Sequence, residues 1–415
     1  MNPCDPMLRI PADFLREARR LFGRLRLASG ADGPTTPAAP SVAAGVVFPV
    51  EVCGAFDGIR LALGDGHCWL ESFRHATGGA GGHGRVLLPW PVLADACRAD
   101  PGTLVELTAC RQSAGTLLRL RLRHGGARLV RFHPAADGAV MPAPSLPDGE
   151  SLRLPARSMG ALAAVAPFAD WKARAGPWRS GVCFSPADGG CLIAGNGQRL
   201  ARVPLQLPVM SSQPGGVLPF TRSFVLPLGA VGVLQHPDFL GYENQLTLYR
   251  GGAEPRVMFR AWDHLLVTPV LAVGSLEDEL MLRGACAVDG QRWSLDALRR
   301  GQLLDWLRAL RDPQTPVSLI WRTCGRLSVV QGGGRGSSAC LTLSAAFRGE
   351  RPAVLPPRLV LPPRDLAAAL SIGGGLVVTV ARGGRVSLSC RGAGGAFCQV
   401  ASLAGGGGKK VISDH

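Results

Sequence analysis

Apolar and polar residues alternate along this chain in a rhythm that changes six times from the period of a strand to the period of a helix. Each strand-like run ends at a short corner, usually a Leu-Pro pair, and an amphipathic run follows it. Proline suits the first helical turn because its fixed φ matches the helix and its missing N–H would have no partner there. We place the corners at Ile10-Pro11, Leu88-Pro89, Leu154-Pro155, Leu226-Pro227, Trp293-Ser294 and Leu361-Pro362.

The spacing of the corners indicates internal duplication. Successive corners lie roughly 65 to 80 residues apart, so pairs of them give three units of about 140 residues. A chain of 415 residues has the length for about three domains, each with its own core. Two helices on antiparallel sheets in each unit make an α+β fold. We predict domains at 1–148, 149–278 and 279–404, followed by a disordered tail at 405–415.

The first helix is the clearest single element. It is predicted from Ala12 to about Leu27, with an apolar stripe of Phe14, Leu15, Ala18, Leu21, Phe22 and Leu25. The opposite side carries Arg16, Arg20 and Arg24, and Arg19 and Arg26 flank it. The Gly/Pro/Ala-rich stretch at 29–45 is predicted to be a loop. Further along, Gly125 and Gly126 separate two alternating arms and predict a β-hairpin.

Charge and composition narrow the class of partner. The chain has 45 Lys and Arg against 30 Asp and Glu, a formal charge of +15, which favours a polyanion such as nucleic acid or an anionic membrane surface. The competing interpretation is that arginine is simply frequent in a chain rich in Ala, Gly, Arg and Pro, as GC-rich coding would give. The 12 cysteines are dispersed without any C-x-x-C pair, so we expect reduced thiols and a cytoplasmic compartment.

Sequence signals for membranes, cofactors and catalysis are weak. The chain contains no apolar run of membrane-spanning length, and its first residues do not resemble a signal peptide. The glycine runs near Gly332 and Gly405 lack the Lys and Ser/Thr of a phosphate-binding loop. His67 and Cys68 are adjacent, but no third residue nearby in sequence would orient them. We therefore expect no cofactor, no metal and no catalytic residues.

Several segments together resemble the bacterial replicative sliding clamp, the beta subunit of DNA polymerase III. VCFSPADGGCLIAGNGQRLARVPL, from Val182 to Leu205, followed by FVLPLGAV, resembles the middle domain of that family. The family signature Ala-Thr-Asp-Gly-His-Arg-Leu-Ala stands here as AGNGQRLA, from Ala194 to Ala201. RVLLPWPVLADACRADPGTLVEL, VRFHPAADGAVMPAPS and VMFRAWDHLLVTPVL resemble other family segments in the same order. The third domain is supported mainly by the rhythm of strands and helices.

The resemblance implies three tandem clamp domains in a head-to-tail homodimeric ring that encircles double-stranded DNA, with helices lining the hole. Phosphates of a threaded duplex would then face cations on the helices without any need to read bases. It also implies a nucleoid-associated location in the cytoplasm. The implied DNA-binding residues are Arg16, Arg19, Arg20, Arg24, Arg26, Lys172, Arg174, Arg300 and Arg308. The competing interpretation of each is a solvated helix face.

The family also has a hydrophobic cleft that binds peptides of polymerases and of the clamp loader. By resemblance it would be lined here by Gly195, Gln198, Arg199, Leu200, Val400 and Ala401. The chain departs from the family because Gly replaces the signature Thr, Gln replaces the His, and FCQVASL replaces the last strand with its Met-Pro-Met segment. The Phe-Pro-Asp-Tyr linker segment has no counterpart, and family members are typically acidic overall. These departures favour a divergent paralogue.

Two functions from different classes remain open at this point. One is a non-enzymatic DNA sliding clamp, or processivity factor, that tethers a polymerase and other partners. The other is a basic, β-rich module that holds nucleic acid electrostatically and forms no closed ring. Aromatic stacking platforms would favour the second, but aromatic residues are only 6% of the chain.

Overall fold

The structure is a computed structural model. It describes residues 7–30, 50–55, 57–64, 68–77, 80–112, 115–134, 150–169, 181–186, 190–195, 199–205, 207, 222–249, 255–272, 291–310, 312, 314–322, 326–332, 339–344, 346–348, 359–372, 375–380, 386–391 and 397–402. Among these residues, no helix combines the length and the apolar character that a membrane span requires.

The helices follow the predicted corners at five of six places. The described residues contain α1 (Ala12–Gly30), α2 (Trp90–Ala96), α3 (Ala156–Val165), α4 (Leu228–Leu234), α5 (Pro237–Leu240), α6 (Ala297–Arg308) and α7 (Pro363–Ser371). A 3₁₀ turn, Ala166–Phe168, follows α3. Helix α1 continues to Gly30, three residues beyond the predicted end.

The prediction of a corner at Trp293-Ser294 is wrong by two residues. The strand continues through Leu295, and Asp296 is the N-cap of α6. The Asp296 carboxylate accepts a hydrogen bond from the backbone N–H of Arg299 at 2.8 Å, which satisfies one of the unpaired donors of the first turn. This corner is the one without proline, so the capping side chain sets the helix start.

The strands alternate with the helices along the chain. The first thirteen are β1 (Met7–Pro11), β2 (Val50–Ala55), β3 (Gly58–Gly64), β4 (Trp69–His75), β5 (Gly81–Leu88), β6 (Leu104–Gln112), β7 (Gly115–His124), β8 (Ala127–Pro134), β9 (Glu150–Leu154), β10 (Gly181–Ser185), β11 (Cys191–Gly195), β12 (Arg199–Pro204) and β13 (Phe224–Pro227). The others are β14 (Asn244–Tyr249), β15 (Arg256–Ala261), β16 (His264–Pro269), β17 (Leu271–Ala272), β18 (Gln291–Leu295), β19 (Val317–Arg322), β20 (Arg326–Gln331), β21 (Ala339–Ser344), β22 (Ala346–Arg348), β23 (Leu359–Leu361), β24 (Gly375–Val380), β25 (Val386–Arg391) and β26 (Phe397–Ser402).

Strand pairing confirms the duplication that the corners predict. In the first repeat, β1, which precedes α1, pairs with β6, which follows α2. In the same way β5, which precedes α2, pairs with β2, which follows α1. The same exchange recurs in the middle, where β9 pairs with β14 and β13 lies beside β10. It recurs again where β18 pairs with β24 and β23 pairs with β19. Each exchange joins two βαβββ halves, which gives three repeats with two main helices each on antiparallel sheets, and the middle repeat has the short α5 in addition.

The chain divides into two compact units. The first comprises Met1–Met159, Gln206–Ser212 and Leu226–Val270 and contains a twelve-stranded sheet in the order β8-β7-β6-β1-β5-β2-β3-β4-β16-β15-β14-β9. Helix α1 buries Phe14 and Phe22 in its core, and α5 buries Phe239. The predicted hairpin is present between β7 and β8, where Gly125 and Gly126 both have positive φ.

The second compact unit comprises Gly160–Leu205, Gln213–Val225 and Leu271–His415. It contains a ten-stranded sheet in the order β17-β13-β10-β11-β12-β26-β25-β24-β18-β22 and a four-stranded sheet in the order β21-β20-β19-β23. Phe184 and Phe224 stack with their ring centroids 5.0 Å apart. The predicted boundaries at 148, 278 and 404 do not coincide with these units and stay a prediction, and the tail at 405–415 lies outside the described residues.

Candidate nucleic-acid interface and partner cleft

The arginines of α1 divide into two groups. Its predicted apolar stripe is buried at Phe14, Leu15, Ala18, Leu21 and Phe22. Arg19 and Arg20 are exposed on the other side, whereas Arg16 and Arg24 are half-buried. Among the described residues, neither Arg19 nor Arg20 forms a salt bridge with a carboxylate, although Arg19 also lies close to the Cys97 thiol.

Arg16 is bound to the end of helix α2. Its Nη1 donates to the backbone oxygen of Ala99 at 2.6 Å and to that of Cys97, the C-cap of α2, at 3.3 Å. Its Nη2 donates to Asp13 Oδ1 at 2.5 Å. This hydrogen bond, with one from the Gly102 N–H, holds the pKa of Asp13 below its ordinary value. A cation at a helix C-terminus satisfies unpaired carbonyls and opposes the negative end of the helix dipole.

A neighbouring thiol strengthens the same junction between α1 and α2. Cys97 Sγ donates to the backbone oxygen of Leu15 at 3.4 Å. Burial raises the pKa of the Cys97 thiol and outweighs the opposing effect of nearby arginines. The thiol therefore acts here as a neutral hydrogen-bond donor within the packed helix pair.

Two more of the predicted DNA-binding arginines bind helix ends. Arg24 Nη1 donates to the Gly232 oxygen at 3.0 Å, in the last turn of α4. Arg300 Nη1, in α6, donates to the Leu370 oxygen at 3.4 Å, near the end of α7. Arg16, Arg24 and Arg300 thus share one role in fixing pairs of helices, and their predicted contacts with DNA stay a prediction.

The remaining predicted cations differ in what the structure shows of them. Arg308 is exposed and lies 3.4 Å from the exposed Asp305, a weak surface pair. The backbone of Arg26 is helical, but its side chain lies outside the described part, as do Lys172 and Arg174 entirely. Sequence reasoning missed Arg157, which is exposed in the first turn of α3 without a described carboxylate nearby. Its position directly after the Leu154-Pro155 corner is the signal that could have found it.

The predicted cleft residues from the middle and the end of the chain are neighbours. Strand β12 pairs with β26, so that Arg199 lies opposite Val400 and Leu200 opposite Gln399. Gly195 pairs with Leu200 on the other side of β12, and Ala401 pairs with Ser387. Gln198 lies outside the described residues. Residues about 200 positions apart in sequence therefore meet within one sheet, as the family resemblance implies.

The register also corrects how the cleft residues are arranged. Opposite residues in an antiparallel pair share a face and successive residues alternate, so Leu200 shares a face with Gln399, while Val400 is on the other face with Arg199. Leu200 is only 1% exposed and packs in a cluster with Cys183, Cys191, Ile193 and Val225. Leu200 is therefore a core residue on the opposite face from the position of Val400, and the predicted peptide cleft stays a prediction.

The first compact unit also holds a polar cluster that sequence reasoning missed. Glu17, Asp238 and His264 bring their ligand-type atoms within 4.8 Å of one another. They come from α1, α5 and β16, which are more than 200 residues apart at the extremes, so no spacing motif announces them. The sequence predicts no metal site, whereas these three residues form a cluster that could hold a metal ion.

Solved structures of similar fold cover nearly the whole chain. The DNA polymerase sliding clamp of Bacillus subtilis has a TM-score of 0.64 at 15% identity, covering 96% of this chain and 99% of that one. The DNA polymerase III beta chain of Streptococcus pneumoniae has a TM-score of 0.64 at 14% identity, with the same coverage of both chains. The sliding clamp of Bartonella birtlesii bound to griselimycin has 0.62 at 14%, again with 96% and 99% covered. No protein-family model matches the chain, and no curated protein matches it.

Proposed function

We propose that this chain, which has the fold of the bacterial DNA polymerase III beta sliding clamps, acts as a divergent DNA sliding clamp. It would encircle duplex DNA, work without catalysis in the cytoplasm, and tether a DNA polymerase and other partners. The observation that carries the proposal is the likeness of fold over 96% of this chain and 99% of the Bacillus subtilis clamp. The three exchanged pairs of βαβββ halves support it, since the same two-helix unit is built three times.

The exposed cations define the DNA surface that we propose. Arg19 and Arg20 on α1, Arg157 on α3 and Arg308 on α6 are exposed on helices. Contacts of this kind to phosphates are independent of sequence, and they let a protein slide along DNA. The capping arginines Arg16, Arg24 and Arg300 would instead keep the helices in position.

Exposed apolar side chains near two sheet edges support a head-to-tail dimer. Strand β8 is an edge of the twelve-stranded sheet, and Val130 and Phe132 on it are 52% and 59% exposed. Strand β21 is an edge of the four-stranded sheet, and α6, which packs against it, exposes Leu298 to 72%. Unpaired edges with apolar side chains are templates for pairing with another chain. We propose that β8 of one chain adds to β21 of the next, which makes a heterologous contact that closes as a two-membered ring.

The mass in solution separates the clamp from the open, monomeric alternative. Sedimentation of the wild type should give about twice 43.4 kDa at micromolar concentration. Phe132→Arg should give the monomer mass because it places a charge at the apolar edge. The matched control is Tyr242→Arg, an aromatic residue in the same unit that is 52% exposed, and this variant should remain dimeric. A wild type that stays monomeric, alone and on DNA, would favour the electrostatic binding module.

The departures from the family favour a partner peptide different from the usual one. Glycine and glutamine replace the signature Thr and His, and the Met-Pro-Met segment is absent, so adaptable methionines no longer contribute. With Leu200 in the core, the positions left on the opposite face of the strand pair are Arg199 and Val400. We propose a cleft with a more polar wall, in which clamp-loader and polymerase peptides bind by hydrogen bonds more than by apolar burial.

A further inference from the structure

A buried histidine and two carboxylates converge where α1, α5 and the start of β16 meet. All three elements belong to the first compact unit. Glu17 is on α1, Asp238 is on α5, and His264 is the first residue of β16. The cluster opens into a cavity of about 300 Å³ that is also lined by Phe14, Arg74, Asp263 and the exposed Trp262.

His264 is held so that one ring nitrogen faces the carboxylates. Its side chain is 8% exposed, and the pairing of β16 with β4 places it opposite Ser72. Its Nδ1 lies 3.0 Å from Ser72 Oγ. Its Nε2 points into the cluster, 3.5 Å from Asp238 Oδ2 and 3.7 Å from Glu17 Oε1, and makes no hydrogen bond within the described residues. A serine on the far nitrogen fixes the ring orientation, as partners of metal-binding histidines do.

Asp238 has an unsatisfied oxygen at the same point. Its Oδ2 is buried and has no hydrogen-bond partner in the described part of the chain. The nearby His236 Nδ1 lies 2.8 Å from this oxygen but accepts a hydrogen bond from the backbone N–H of Asp238 at 3.5 Å, so a neutral His236 offers Oδ2 no hydrogen from that nitrogen. A buried carboxylate oxygen left in this state costs free energy unless a cation or a donor meets it.

The charges around the cavity favour a cation. Glu17, Asp238 and Asp263 contribute three carboxylates, against the single guanidinium of Arg74. Arg74 Nη2 binds Glu17 Oε2 at 2.8 Å, which leaves Oε1 directed at His264. The two carboxylate oxygens repel one another when nothing lies between them, and in the tautomer that donates from Nδ1 to Ser72 Oγ the His264 Nε2 is a third acceptor.

We propose that Glu17, Asp238 and His264 bind a Zn²⁺ ion. One nitrogen and two oxygens form a donor set that zinc accepts, with bonds of about 2.0 to 2.2 Å and hence about 3.3 Å between neighbouring donors of a tetrahedron. The two distances from His264 Nε2, 3.5 and 3.7 Å, exceed this value by only a few tenths of an ångström, and all three donor atoms lie within 4.8 Å of one another. Mg²⁺ fits poorly because it prefers six oxygen ligands and retains its waters.

The ion would join elements that are distant in sequence. It would connect α1 to α5 and to the β15–β16 hairpin, and three protein donors leave a fourth position on the cavity side for water. Binding only to the folded state raises the melting temperature of the protein. The site is independent of the proposed function, because it requires neither DNA nor a second chain.

The test uses the full chain after treatment with a chelator. Titration with ZnCl₂ alone, followed by calorimetry and by thermal unfolding, should give one ion per chain and a rise in melting temperature, whereas MgCl₂ should give neither. Glu17→Gln and His264→Gln should each weaken zinc binding at least tenfold. Asp263→Asn, which changes a charge at the cavity without removing a proposed ligand, should bind zinc like the wild type.

Two further readouts keep the test decisive. Glu17 is 31% exposed, so Glu17→Gln should fold even where His264→Gln does not. Co²⁺ in place of Zn²⁺ should show visible bands without the near-ultraviolet band of a thiolate ligand, which separates this site from the cysteines. The proposal is overturned if zinc does not bind at one equivalent, if Glu17→Gln binds it like the wild type, or if Co²⁺ shows thiolate ligation.

Discussion

Helix α1 and the strand pair β12–β26 both carry residues that the sequence assigns to binding, but they differ in how those side chains are used. On α1, Arg19 and Arg20 are exposed, while Arg16 and Arg24 are bound to the ends of α2 and α4. In the strand pair, Arg199 and Val400 meet as the resemblance implies, but Leu200 is buried in the core. The comparison teaches that position on an element and availability for a partner are separate properties.

The difference has a physical origin in the two periods. A helix repeats every 3.6 residues, so its solvent face is broad and a cation at its margin can still reach a neighbouring helix end. A strand repeats every two residues, so a shift of a single position moves a side chain to the other face of the sheet. An error of one position in predicting which residues face solvent therefore matters little on a helix, whereas on a strand it moves the side chain to the wrong face.

The largest effect is expected at Leu200, on the strand side of the comparison. Leu200→Asp removes a fully buried side chain and buries a charge, which should cost about 3 to 5 kcal/mol of unfolding free energy. Leu200→Met, which keeps the volume, should cost less than about 1.5 kcal/mol. Urea unfolding of both variants checks this. If Leu200→Asp unfolds like the wild type and loses only peptide binding, Leu200 lines a groove after all.

A smaller loss is expected from Arg16 on the helix side. Arg16→Glu leaves the carbonyls of Cys97 and Ala99 unpaired and places a second carboxylate beside Asp13, so it should cost about 1 to 3 kcal/mol. Arg20→Glu, one turn along on the exposed face, should stay within about 0.5 kcal/mol of the wild type. Equal urea midpoints for the two variants would show that Arg16 caps nothing in solution.

The salt dependence of DNA binding tests whether the exposed arginines of α1 contact DNA specifically or contribute only through the net charge of the protein. Replacing both Arg19 and Arg20 with Glu should lower the magnitude of the slope of log affinity against log salt concentration by about 1.8. Each phosphate contact that is lost would otherwise release about 0.9 of a counterion. Glu at both Arg153 and Arg260 is the matched control, since it changes the net charge equally on exposed strand positions. Equal slopes for the two double variants would mean that binding is diffuse rather than centred on the helix.

The smallest effect is the contribution of Asp13 to the pH dependence of stability in the acidic range. The hydrogen bond from Arg16 lowers the pKa of Asp13, so the folded state favours the carboxylate. That contribution is fully present above the unfolded pKa of about 3.9 and is lost as pH falls through the lower folded value. Asp13→Asn should therefore melt below the wild type at neutral pH, and the gap should close below about pH 4. A gap that stays constant with pH would exclude the ionic contribution.

Most of the fold could be predicted from the chain, because its signals are local. Five Pro-containing corners mark their helix starts, and the Gly125-Gly126 turn marks its hairpin. The remaining corner failed by two residues because a capping side chain, Asp296, determines the helix start there. The site was less predictable, since it depends on long-range contacts. The sequence around Arg16 does not indicate its hydrogen bond to Ala99, and the sequence around Glu17 does not indicate that His264 lies beside it.

Retention on DNA with and without free ends tests the clamp most directly. The protein is loaded by its cognate clamp loader onto nicked circular duplex, passed through a sizing column in high salt, and compared with the same DNA cut once by a restriction enzyme. A ring should stay on the circle, where ends are absent, and should slide off the linear form, since its retention is topological rather than ionic. Loss from both forms alike in high salt, with equal binding to both in low salt, would contradict the clamp and identify an electrostatic binding module.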